Sequence, residues 1–158
     1  MKSTIFNGNV YMEYPDDFYE MSTDEIRKYF GGDMLRMGVR NVEKHVILSV
    51  GKTKDSFLTL LTDSKSILSG AENAFTKCLK GYEKIEEFEA DILGKAGKGI
   101  RFAYTAKDKD KDVRQFGEMA VVKSKRCFYV VYCLARFSDV EENKERFAAF
   151  RESLQKKN

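Results

Sequence analysis

The chain has 158 residues, of which 42% are hydrophobic, 13% aromatic and 34% charged, enough apolar material for a sizeable core and too much for wholesale disorder. Its 28 basic and 25 acidic side chains are interspersed and leave a formal net charge of +3, so the electrostatic footprint of a nucleic-acid binder is missing and no nucleic-acid partner is expected. One domain over 1–158 fits the length; the longest apolar run, inside Phe128–Ala135, excludes stable membrane insertion, and the start Met1 to Ile5 leads into no signal-peptide core.

Tyr11 to Tyr14 reads as a short strand closed by Pro15-Asp16-Asp17, since proline cannot donate to a ladder and aspartates favour a turn. Ser22 to Glu25 is a capping box that opens a helix, with Met21 and Ile26 as its hydrophobic staple and Gly31-Gly32 as its stop. Lys44 to Val50 is a strand with Val46, Leu48 and Val50 on one face and His45, Ile47 and Ser49 on the other, followed by a polar break at Lys52 to Asp55. The pattern leaves Phe57 to Leu61 open. Asp63 or Ser64 then caps a long helix with Ile67, Ala71, Ala74, Phe75 and Cys78 at helical spacing, and Gly81 suits a left-handed C-terminal residue.

Lys84 to Leu93 alternates, with Phe88, Ala90 and Ile92 facing a core and Glu87, Glu89 and Asp91 facing solvent. Gly94 to Lys98 reads as the loop of a hairpin whose return strand carries Ile100, Phe102 and Tyr104; pairing Leu93 with Gly99 sets Asp91 opposite Arg101. After a charged loop at Lys107 to Asp112, Phe116–Lys123 and Cys127–Ala135 form a second hairpin around Lys123-Ser124-Lys125-Arg126. Its last strand is apolar on both faces and therefore central. Ser138 to Glu141 reads as a second capping box before a helix with the stripe Val140, Phe147, Phe150 and Leu154. Hairpins outnumber βαβ units, which predicts a mainly antiparallel sheet of about six strands with helices on its faces, in an α+β or three-layer arrangement.

The chemical templates fail on named residues. Asp108, Asp110 and Asp112 resemble the start of a calcium loop, but Val113 and Met119 stand where glycine and glutamate are needed. Gly94, Gly97 and Gly99 lead into a strand instead of the helix a phosphate cradle requires. His45 is the single imidazole, and Cys78, Cys127 and Cys133 all read as buried packing, so neither a Cys-His pair nor a zinc set is expected. The odd cysteine count points to reduced thiols and a cytoplasmic setting. Glu87, Glu89 and Asp91 share one strand face, as a wet face or a hydrolase wall would. Lys123, Lys125 and Arg126 form an exposed basic turn. The segment Tyr14 to Met21 sets aromatics beside carboxylates on a surface connection and makes Tyr14, Asp16, Asp17, Tyr19 and Glu20 the candidate partner-binding residues, while Phe18 and Met21 also suit fastening the first helix.

The strand into Tyr14-Pro15-Asp16-Asp17-Phe18, the strand His45 to Val50, Phe57-Leu58, a helix ending near Gly81-Tyr82, Gly99 to Tyr104, and Phe128 to Tyr132 before a terminal helix together resemble the PsbP-like superfamily, which includes the photosystem extrinsic protein, the Ran-binding Mog protein and bacterial DcrB-like proteins. The resemblance spans nearly the whole chain and rests on apolar and turn positions. It implies an α+β fold, a three-layer α/β/α sandwich around a mainly antiparallel central sheet, with a protein partner and no catalysis. In the Ran-binding relatives acidic residues near the first strand-to-helix connection contribute to partner contact, and Asp16, Asp17 and Glu20 stand nearest here. Some DcrB-like relatives are chaperones that dimerise and cradle apolar helices. The expectation is a non-catalytic cytoplasmic protein-binding domain, monomer or homodimer, without cofactor or metal; the alternatives are a chaperone for apolar segments and a small-molecule hydrolase.

Overall fold

The computed structural model describes residues 1–6, 8–31 and 34–156. Strands β1 (Lys2–Phe6) and β2 (Val10–Tyr14) pair antiparallel, and β10 (Gln155–Lys156) adds to the other side of β2, making a small three-stranded sheet. Alternation explains β2: Val10, Met12 and Tyr14 are buried while Tyr11 and Glu13 are half-buried. The main sheet has seven strands: β3 (Tyr19–Glu20), β4 (Leu35–Asn41), β5 (Val46–Lys52), β6 (Glu83–Ile92), β7 (Lys95–Asp108), β8 (Lys111–Ser124) and β9 (Cys127–Arg136). Its order is β3-β4-β5-β9-β8-β7-β6 and every pairing is antiparallel. The strand read as apolar on both faces, β9, is the middle one. The Tyr11–Tyr14 segment belongs to the small sheet, not the central one.

Three helices complete the layers: α1 (Thr23–Phe30), α2 (Ser64–Cys78) and α3 (Val140–Ser153). The helix α2 carries the chain from inner β5 across to edge strand β6, and the β6–β9 meander returns to pair with β5. On that face Leu68 and Phe75 pack on Ile100, Phe102, Met119, Val121, Phe128 and Val130. The opposite face is covered jointly by α3 and the small sheet, where Phe147, Phe150, Leu154, Val10 and Met12 meet Leu48, Phe116, Ala120, Val131 and Cys133. The Phe116 and Phe147 rings stack at 5.7 Å. The α+β sandwich stands, with seven strands instead of about six and a small sheet sharing one outer layer.

Local signals account for several boundaries. Ser22 caps α1 by accepting from the Glu25 amide at 3.2 Å while Glu25 accepts from the Ser22 amide at 3.1 Å, and Gly31 follows at φ 57°; Gly32, read with it as the stop, lies outside the described residues. The staple residues Met21 and Ile26 both crowd Gly38 of β4, where a Cβ atom would come within 3.0 Å of each. Asp63 caps α2 through the Ser66 amide. Gly81 is left-handed at φ 64°, but the helix already ends at Leu79 in extended backbone.

Other expectations need correction. Strands β1, β3, β4 and β10 are not among those the sequence pattern predicts. The 57–61 segment is a 3-10 turn. The second capping box does not form, because a 3-10 turn at Phe137–Asp139 precedes α3 and the side chain of its Asp139 cap makes no bond to the first amides of the helix. The β6–β7 hairpin turns on Leu93-Gly94 alone, at φ 55° and 75°, so Asp91 faces Ala96 and Arg101 faces Glu86. Positive φ at both positions matches the twist of a two-residue hairpin turn, and the Lys109-Asp110 turn repeats it at 49° and 69°. Lys123 and Ser124 belong to β8, leaving Lys125-Arg126 as the turn.

Candidate functional site

The connection from β2 to α1 is fixed from beneath. The Phe18 amide donates to the Pro15 carbonyl at 3.1 Å, closing a turn, and the Phe18 ring is buried in the core. Asp17 accepts from Asn41 Nδ2 at 2.9 Å and pairs with Lys44 at 2.7 Å; the hydrogen bond from Lys44 is the main cause that holds its carboxyl below the usual range. Asp16, 75% exposed, lies 3.0 Å from the Met1 amino group. Tyr19 and Glu20 form the exposed edge strand β3 against Arg40 and Val39. Of the five residues singled out, Asp16, Asp17, Tyr19 and Glu20 are exposed in this connection, with Tyr19 opposite Arg40 and Glu20 opposite Val39, on opposite faces of the sheet edge. Tyr14 is not: it is core, and burial, followed by the nearby Glu20 carboxylate, raises its phenol.

The carboxylates of β6 are divided, with Glu87 and Glu89 at a cleft and Asp91 away from it. A cleft of about 270 Å³ between α2 and the β6–β7 hairpin is lined by Glu72, Glu87 and Glu89, with Lys65 and Lys98 beside them. Lys84 hydrogen-bonds Glu87 and lowers its carboxyl, the opposite of what a general acid requires. Glu72 accepts from the Tyr82 hydroxyl at 3.0 Å. Asp91 does not line this cleft.

The thiols and imidazole are equally unsuited to join. Cys127 and Cys133 are buried and burial raises both, Cys133 to about 12. Cys78 is exposed, against the expectation of burial, because it closes the last turn of α2 on the solvent side. His45 is not a strand residue: it sits in the β4–β5 turn at φ 57°. Asp108 pairs with Arg136 of β9, and Asp112 with Lys107 of the hairpin and with Lys80 beyond α2, so these two carboxylates are held by cations. Among the described residues no cluster of three or more His, Cys, Asp or Glu is placed to hold a metal.

Two features escaped the sequence reading. Glu118, in the middle of β8 and 2% exposed in its side chain, accepts from Arg101 Nε at 2.7 Å and from Arg151 of α3; Phe88 lies against both guanidiniums, at 4.1 and 4.9 Å. A glutamate interrupting the apolar run Phe116 to Val122 was the available signal. The second is a cleft of about 600 Å³ between α1, the β4–β5 turn and the far end of the β7–β8 hairpin, lined by Tyr29, Tyr104 and Ile47 and by Lys28, Arg40 and Arg136. Arg40 Nη1 bonds Glu25 at 3.0 Å, its guanidinium lies 5.1 Å from the Tyr29 ring, and its buried Nε has no hydrogen-bond partner among the described residues. Cations border this cleft, whereas a chaperone of apolar helices needs an apolar groove.

No family model matches the chain, and no curated protein sequence does. Solved structures do match over nearly its whole length. The cyanobacterial PsbP (CyanoP) of Synechocystis sp. PCC 6803 superposes with a TM-score of 0.62 at 13% identity, covering 94% of this chain and 86% of that one. The Ran-binding protein Mog1p of Saccharomyces cerevisiae gives 0.58 at 10% identity, over 98% and 95%. LpqN of Mycobacterium tuberculosis, a protein involved in cell envelope biogenesis, gives 0.56 at 14%, over 99% and 91%. Superposition over nearly the whole of each chain shows the fold they share: the chain has the PsbP/Mog-like fold.

Proposed function

We propose that the chain is a single non-catalytic domain that binds another protein in the cytoplasm, with Asp16, Tyr19 and Glu20 as its contact surface. The observation that carries this reading is a run of exposed side chains, Asp16 in the turn and Tyr19 and Glu20 on the two faces of an edge strand, that buried Phe18 and the Asn41–Asp17–Lys44 bonds hold in place. A fixed acidic surface fits a basic partner, since complementary charge steers encounter and sets register, and the tyrosine supplies rigid contact area. The likeness to a Ran-binding protein supports a protein partner. Three unpaired cysteines suit a reducing compartment.

Asp16→Lys combined with Tyr19→Ala tests the surface while sparing Asp17, whose bonds are structural. Capture from lysate, read by mass spectrometry, is expected to retain one dominant protein on the native chain and to lose it on the variant, with the melting temperature unchanged. Equal capture by both chains removes this surface from the reading.

A further inference from the structure

The 3-10 turn Phe57–Leu61 is the most apolar exposed segment among the described residues: Phe57, Leu58, Leu60 and Leu61 are 69%, 71%, 56% and 87% exposed. Four large apolar side chains in water on five residues cost solvation free energy that the fold does not recover, since only Thr59 of the turn is buried. The turn is nevertheless held in shape. Ser56 Oγ accepts from the Leu58 amide at 3.1 Å, the Ser56 amide donates to the Arg126 carbonyl at 2.9 Å, and Lys123 Nζ donates to the Thr62 carbonyl at 2.8 Å.

Around its base stand cations. Lys52 and Lys54 precede the turn, Lys65 follows it, and Lys123, Lys125 and Arg126 come from the β8–β9 hairpin, with the Arg126 guanidinium 4.4 Å from the Phe57 ring. Asp55 pairs with Lys52 and Asp63 is the α2 cap, whereas Lys54, Lys65 and Lys125 make no ion pair among the described residues. The positive field extends to β10, where Lys156 is lowered by burial first and then by the like charges of Lys95, Lys125 and Lys52. This end of β5 is opposite the end that meets Asp17 and Lys44.

We propose that this tip is a peripheral attachment site for an anionic phospholipid surface, in which Phe57, Leu58, Leu60 and Leu61 enter the acyl boundary and the surrounding lysines and Arg126 meet the headgroups. The argument is complementarity in depth. A bilayer surface offers anionic charge outside and hydrocarbon beneath it, and the tip offers apolar side chains at its apex and cations behind them. A convex apex enters an interface, whereas a folded partner would need a matching pocket. The attachment is peripheral, for no helix among the described residues is long and apolar enough to cross a membrane.

Sedimentation with phosphatidylcholine vesicles, with and without phosphatidylglycerol, tests the site on the full chain. Binding is expected only where phosphatidylglycerol is present and is expected to weaken as salt rises. Leu58→Ser with Leu61→Ser, and separately Lys125→Glu with Arg126→Glu, should each lower the partition coefficient about tenfold or more while circular dichroism stays native, because these side chains are exposed. Absence of binding to the anionic vesicles, equal binding to neutral ones, or undiminished binding of the leucine variant overturns the proposal. Self-association abolished by Leu61→Ser, without vesicle binding, assigns the tip to a second copy of the chain and overturns it as well.

Discussion

The two faces of the seven-stranded sheet are closed by different physics. Under α2, ring packs on ring: Phe102 lies 4.9 Å from Phe75, 5.7 Å from Tyr82 and 6.1 Å from Tyr132, and Arg36 on this side rests over Phe30 at 4.8 Å and donates to Ser49. Under α3, aliphatic and aromatic packing surrounds a charged knot in which Glu118 joins Arg101 to Arg151. Rings tolerate sliding and lose energy gradually, whereas a desolvated ion triad depends on every member being present. The α2 face is thus stabilised by area, and the α3 face is registered by charge.

The largest expected effect follows from that asymmetry. Glu118→Ala leaves the buried Arg151 guanidinium without its anion, while Arg101 keeps Glu86, and should cost about 3 to 5 kcal/mol in denaturant unfolding. A loss under about 1 kcal/mol would show that water reaches the knot and that charge does not register this face.

A smaller effect compares two glycines that each lie beneath a phenylalanine of the neighbouring strand. A Cβ at Gly117 would come within 2.6 Å of the Phe102 ring, and one at Gly99 within 2.3 Å of the Phe88 ring. Phe102 is fully buried among other rings while Phe88 is half-buried and can swing toward solvent. Gly117→Ala should therefore cost about 1 to 3 kcal/mol and Gly99→Ala less, despite its shorter contact. The reverse order of melting temperatures would mean that the arginines clamp Phe88 more tightly than the aromatic cluster clamps Phe102.

The smallest effect comes from surface carboxylates flanking both faces. Glu25 is lowered by the Ser22 amide and then Arg40, Glu86 chiefly by the Arg101 charge, and Asp112 chiefly by the hydrogen bond from Lys107. A carboxyl lowered in the folded state adds stability above its unfolded value, and that stability is lost as pH falls through the folded value. Unfolding midpoints should hold steady above about pH 5 and decline gently below about pH 4. Insensitivity across that range would show that the pairs are screened to nothing.

The same contrast explains what the sequence disclosed. Features set by near neighbours were legible: the Ser22–Glu25 box, the Asp63 cap, the alternation of β6 and the doubly apolar β9. Strand β4 was missed although Leu35, Met37 and Val39 alternate with Arg36, Gly38 and Arg40, and Gly38 is there to admit Met21 and Ile26. The β6–β7 register was missed because Leu93, a poor residue for positive φ, takes the first turn position and the glycines that drew attention lie in or near the return strand. The site was legible only as composition. Asp16, Asp17, Tyr19 and Glu20 are exposed in one connection, but burial of Tyr14 follows from its register in β2, which the segment alone does not reveal.

Edge strand β6 also decides where the sheet stops growing. It presents ten residues with an open side, a length that would template a further strand from another molecule. Yet Glu83, Glu86, Glu87, Glu89 and Asp91 stud it, and the ladder shifts between Lys84 and Glu86. A second copy laid along this edge would bring carboxylates within reach of carboxylates across an irregular ladder. The opposite edge, β3, is two residues long and gives an incoming chain almost nothing to grip. Both margins of the sheet are therefore guarded against fibrillar stacking, one by repulsion and the other by brevity.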